Sequence, residues 1–147
     1  MSDHSKLPGH LIRRMHQFST KVFLTRVREA GYDLTPVQFA ALEALRREGD
    51  LDQARLADAI AKDRATTGAV VDRLAQKRLI GRSADPNDRR SRIVSLTPEG
   101  ETVIAAMTPV VEALQKEVLS GLDATEYRTF IALASKVIAA SVSRNDT

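Results

Sequence analysis

Two helical stretches with only two residues between them constrain this chain more than any other feature of its sequence. Asp52 can cap a short helix carrying Leu56, Ala57 and Ile60. After only Ala61 and Lys62, Asp63 can cap another that runs from Arg64 to about Lys77. The second places Thr67, Val70, Val71 and Leu74 at i, i+3, i+4 and i+7, which is one inward helical face. A short helix, a tight turn and a second helix make a helix-turn-helix.

Beyond this pair the period shortens. The segments Leu79 to Ala84 and Arg92 to Leu96 hold Ile80, Ile93 and Val94. They flank the polar run Asp85-Pro86-Asn87-Asp88-Arg89-Arg90-Ser91. Short apolar runs around strong turn residues predict a β-hairpin with a charged tip. Thr35-Pro36-Val37-Gln38 and Thr97-Pro98 each pair a capping threonine with a proline suited to a first helical turn. The first predicts a helix with Val37, Ala40, Ala41, Ala44 and Leu45 inward.

The outer segments are long amphipathic helices. Leu7, Leu11, Ile12, Met15, Phe18, Val22, Phe23 and Val27 line the first, which Gly31 ends. Val103, Ile104, Met107, Val110, Val111, Leu114 and Val118 line a second, which Pro109 is expected to kink. Tyr127, Phe130, Ile131, Ala134, Val137 and Ile138 line a third, after a cap at Asp123. Such stripes are stable only when buried, and a second copy of the chain is the expected cover. The predicted fold is mainly α with a small β-hairpin wing: a winged helix-turn-helix over 35–97 plus helical dimerisation arms over 7–34 and 98–143.

Charge supports a polyanion partner. Residues 62–92 hold nine Lys/Arg against four Asp/Glu, a net of +5, while the rest of the chain sums to −2. The absence of cysteine excludes disulfides, Cys-ligated zinc and thiol redox chemistry, and fits a cytoplasmic location. No signal peptide is apparent, and no apolar stretch nears the ~20 residues of a membrane helix. His4, His10 and His16 recur every six residues, so no pair shares a face at i, i+4 and no metal site is expected. GxSxG, GxxxxGK[ST], GxGxxG and HExxH are absent, so no catalytic residue is assigned.

The candidate DNA-contacting residues are Arg64, Thr66, Gly68 and Arg73 on the second helix of the pair and Asp88, Arg89 and Arg90 on the hairpin tip. Gly68 inside a helix costs about 1 kcal/mol against alanine, and close approach to a major groove would offset it. Thr66 can donate to a phosphate or base edge, and Arg64 and Arg73 can reach phosphates or guanine. Arginine suits the focused negative potential of a narrow minor groove, and Asp88 is expected to hold the Arg90 guanidinium as a planar fork.

The run Leu56-Ala57…Asp63-Arg64-Ala65-Thr66…Val71-Asp72-Arg73-Leu74…Leu79-Ile80…Arg82…Asp85-Pro86-Asn87-Asp88-Arg89-Arg90…Leu96-Thr97-Pro98-Glu99-Gly100 resembles the MarR family of bacterial transcriptional regulators. The resemblance spans nearly the whole chain. It implies a homodimer on a pseudo-palindromic operator, usually a repressor relieved by a small ligand. By position, Arg64, Thr66 and Arg73 match recognition-helix contacts, Asp88 the acid that orients the wing, and Arg90 the arginine entering the minor groove. Gly68 and Ala69 depart from the larger polar or basic residues of many members.

The resemblance also implies a small aromatic acid or its thioester as effector, bound between the outer helices and the winged domain. Ile12-Arg13-Arg14 and Leu34-Thr35-Pro36-Val37-Gln38-Phe39 resemble members that control aromatic-compound catabolism. The candidate lining is His10, Arg13, Arg14, His16 and Gln17 with Tyr32, Gln38 and Phe39, where Arg and His would hold a carboxylate and a ring would stack. A ligand-independent architectural DNA binder and a small helical enzyme remain as alternatives. No cofactor is expected.

Overall fold

The structure is a computed structural model that describes residues 3–60 and 62–145. Ala61, one of the two turn residues expected between the paired helices, lies outside the described residues. The order is a 3₁₀ turn (His4–Lys6), α1 (Pro8–Glu29), α2 (Pro36–Glu48), β1 (Leu51–Asp52), α3 (Gln53–Ala59), α4 (Arg64–Gln76), β2 (Ile80–Asp85), β3 (Asp88–Leu96), α5 (Pro98–Val118) and α6 (Ala124–Asn145).

Local chemistry sets most of the boundaries. Thr35 and Gln38 close a reciprocal capping box on α2, each side chain bonding the other's backbone N–H at 3.2 Å. Asp52 caps α3 through the Arg55 N–H (2.8 Å) and Asp63 caps α4 through the Thr66 N–H (2.7 Å). Gly31, just beyond α1, takes the left-handed backbone its position needs (φ 89°).

Residues 3–114 form one compact unit and 115–145 belong to a second. In the first, the core joins Val22, Phe23 and Val27 of α1 to Ala41, Leu42, Ala44 and Leu45 of α2, Leu56 of α3, Val71 and Leu74 of α4, and Ile104 and Met107 of α5. Leu42, not expected on the inward face, is fully buried, so α2 is covered over a wider arc than its stripe implies. α5 continues helically through Pro109, and the Thr108 hydroxyl donates to the Ile104 carbonyl at 2.7 Å. In the second unit, Asp123 and Glu126 form another capping box at the start of α6 (2.9 and 3.0 Å).

The hairpin is present, but it belongs to a three-stranded antiparallel sheet in the order β1-β3-β2. The added strand is two residues long, with Leu51 opposite Val94 and Asp52 opposite Ile93. Two residues are too few to carry a period, so only pairing with a distant segment creates β1. This third strand pins the base of the wing beside the N-terminus of α3.

Candidate nucleic-acid interface

The face of α4 away from the core carries the chemistry. Thr67, Val70, Val71 and Leu74 are buried, as their spacing predicts. This leaves Arg64, Ala65, Thr66, Ala69, Asp72 and Arg73 exposed and Gly68 half-buried. The Asp63 carboxylate accepts from the Thr66 backbone N–H and also from its hydroxyl (3.1 Å). These bonds hold the Asp63 carboxyl below its usual range, the backbone bond most strongly. The Thr66 proton expected to reach a phosphate or base is therefore engaged at home in the free protein.

The wing is an antiparallel β2–β3 ribbon, with Gly81 opposite Ser95 and Asp85 opposite Asp88. Asp88, Arg89 and Arg90 are all exposed at its tip. Asp88 holds Arg90, though through a different group from the one expected: its carboxylate accepts from the Arg90 backbone N–H at 2.9 Å. An exposed guanidinium is well solvated, whereas a backbone N–H two residues on lies ready for an Asx turn. Asp85 does the same for Asn87 (2.9 Å), so two aspartates stiffen the tip and leave the arginines outward.

Two residues to which the sequence assigns no role join these parts. Arg82 of β2 donates to the Asp72 carboxylate of α4 and so ties wing to helix. Lys77, at the C-terminal cap of α4, donates to the Asp33 carbonyl and to Gln38 Oε1 (3.0 Å). A cation there also complements the helix dipole. Partners 10 and 39 residues apart have no sequence signal beyond their charge.

The candidate effector residues fall into two groups. Arg13, Arg14, His16 and Gln17 are exposed on α1, and His10 Nδ1 lies 3.5 Å from Arg13 Nη2. His16 and Gln17 line a surface groove of about 520 Å³ with Lys21 and Arg28, and Arg14 and Gln17 line another of about 450 Å³ with Phe18. Tyr32, Gln38 and Phe39 lie instead around the α1–α2 connection. Phe39 packs edge-on against Phe23 (centroids 6.1 Å, 63°), and Gln38 is buried with its amide oxygen engaged by Thr35 and Lys77. Among the described residues no cluster of three His, Asp or Glu is placed to hold a metal ion, and no helix is long and apolar enough to cross a membrane.

A family model, the MarR family, matches residues 34–91. The chain is 37% identical to the HTH-type transcriptional repressor NicR of Pseudomonas putida over 130 residues, covering 88% of this chain and 81% of NicR. Among solved structures it resembles Bordetella bronchiseptica BpsR, whose DNA binding is regulated by 6-hydroxynicotinic acid. That match has a TM-score of 0.86 and 33% identity over 93% of this chain and 96% of the other. It also resembles an Escherichia coli MarR variant complexed with operator DNA, at a TM-score of 0.82 and 27% identity over 92% and 99%. With the helix-turn-helix, the three-stranded wing and the long outer helices all present, the chain belongs to the MarR family of winged-helix transcriptional regulators.

Proposed function

We propose that this protein is a ligand-responsive repressor that binds a pseudo-palindromic operator as a homodimer and is released by a small aromatic acid or its thioester. The observation that carries the reading is the juxtaposition of α4, with Arg64 and Arg73 outward, and a wing tipped by Arg89 and Arg90. In this reading 35–97 is the DNA-binding domain. A two-fold pair would set recognition helices about 34 Å apart in successive major grooves, with wings in flanking minor grooves.

The regions 7–34 and 98–143 are assigned to dimerisation. Leu7 at the N-cap of α1 and Leu11, Ile12, Met15 and Phe18 along it are exposed, as are Leu133, Val137, Ile138 and Val142 on α6. Rows of apolar side chains at this spacing favour a partner surface over water. A cytoplasmic location follows from the regulator reading, which gives the chain no catalytic role.

The effector class is drawn from the relatives: BpsR responds to 6-hydroxynicotinic acid, an aromatic acid. Arginine and histidine on α1 suit its carboxylate. The test is a duplex-binding assay with purified protein, repeated across salt. Affinity should fall steeply as salt rises, through counterion release. Added 6-hydroxynicotinic acid or a related acid should then release the duplex. Binding that no aromatic acid affects would favour the architectural reading, and no binding to any duplex in dilute buffer would end the proposal.

A further inference from the structure

Gln53 opens α3, and its amide nitrogen lies 3.4 Å from the point where a Cβ on Gly68 would stand. It is half-exposed, and among the described residues its amide has no hydrogen-bond partner. The adjoining part of α4 is poor in groups that can read a base. Ala65, Gly68 and Ala69 carry no polar side-chain atom, and the Thr66 hydroxyl donates to Asp63. Gln53 thus brings a free donor and acceptor from the neighbouring helix to the flank of α4 that offers none.

We propose that Gln53 is a specificity-determining residue of the interface, its amide reading an adenine edge in the major groove across the space that Gly68 leaves open. This inference rests on the regulator reading above. A glutamine amide presents one donor and one acceptor side by side, which matches the N7 acceptor and N6 donor of adenine. An alanine Cβ at 68 would meet the Gln53 amide at ordinary van der Waals distance, whereas a longer side chain would occupy the space beside it.

The experiment is selection of bound duplexes from a random pool, run in parallel with wild-type protein, Gln53→Ala, Gln53→Glu and Gly68→Leu. Wild type should enrich half-sites with a fixed A·T pair. In Gln53→Ala the preference at that pair should fall about five-fold or more, with other positions unchanged, and in Gly68→Leu it should fall together with overall affinity. Gln53→Glu should shift it toward cytosine, whose N4 amine donates to a carboxylate. Circular dichroism identifies any variant that fails to fold, and the remaining variants then decide. Unaltered base preference in a folded Gln53→Ala, or equal weakening for all sequences as from a lost phosphate contact, would overturn the inference. If the wild type itself enriches no duplex, the regulator reading fails instead.

Discussion

Lys77 Nζ donates to Gln38 Oε1 at 3.0 Å, joining the C-terminal end of α4 to the first turn of α2. The same ammonium bonds the Asp33 carbonyl and lies 3.9 Å from the Asp33 carboxylate. Gln38 also closes the cap of α2 with Thr35. One cation therefore fixes where α4 ends relative to the connection that follows α1.

Lys77→Met keeps the stem and removes these bonds. It should lower unfolding free energy by about 1–2 kcal/mol, since the buried Gln38 loses a charged partner. Urea denaturation checks this, and Lys77→Arg should recover part of the loss. A Met variant as stable as wild type would mean that the ammonium does not anchor the helix.

Gly100 explains the Leu-Thr-Pro-Glu-Gly run that closes the wing. Thr97 accepts from the Gly100 N–H (3.0 Å) and donates to the Arg78 carbonyl (2.7 Å), drawing α5 onto the end of α4. A Cβ at 100 would sit 2.0 Å from the Leu79 carbonyl oxygen, a backbone atom that cannot swing aside. Gly100→Ala should cost roughly 3 kcal/mol through forced displacement, which thermal or urea unfolding would measure. A loss under about 1 kcal/mol would show that the two segments separate easily.

Thr67 is fully buried on α4, and among the described residues its hydroxyl has no hydrogen-bond partner. Burying an unpaired hydroxyl is unfavourable, and valine has nearly the same shape. Thr67→Val should therefore raise stability by about 1 kcal/mol. Duplex affinity should hold, because the residue faces away from the proposed interface. A destabilised variant would mean that the hydroxyl finds a partner in solution, such as a buried water.

What the sequence made legible was local. The caps at Thr35, Asp52, Asp63 and Asp123 act within three residues, and the stripe Thr67, Val70, Val71, Leu74 repeats within one helix, so spacing alone locates them. Residues joined by the approach of distant segments left no such trace. Leu51 becomes a strand only because Val94 arrives opposite it. Arg82 meets Asp72, and Lys77 meets Gln38, across elements whose mutual placement no period encodes. The Asp88–Arg90 spacing was informative about the pair, but it did not distinguish backbone N–H from guanidinium, since both lie within reach of one carboxylate.

Acid should expose the Asp63 cap. The folded carboxyl is held below the unfolded value of about 3.9, first by the Thr66 N–H and then by its hydroxyl. A depressed carboxyl contributes stability that is complete above the unfolded value and lost as pH falls through the folded one. Asparagine caps without charge. The stability difference between wild type and Asp63→Asn should therefore stay level above about pH 5 and move against wild type below about pH 4. A difference that does not change with pH would mean that the carboxylate charge adds nothing to the cap.

Arg90 separates wing function from wing folding. Its backbone N–H is what Asp88 holds, and that group survives any substitution except proline. Its guanidinium is outside the fold, in an exposed tip. Arg90→Ala should thus leave the unfolding midpoint unchanged while weakening duplex binding by roughly 1–3 kcal/mol. Asp88→Ala should loosen the tip and weaken binding as well, but less, because the arginines remain. Fluorescence anisotropy on a selected duplex, beside thermal unfolding, distinguishes the two. If Arg90→Ala loses stability in step with affinity, the side chain belongs to the fold and the minor-groove contact must come from elsewhere on the wing.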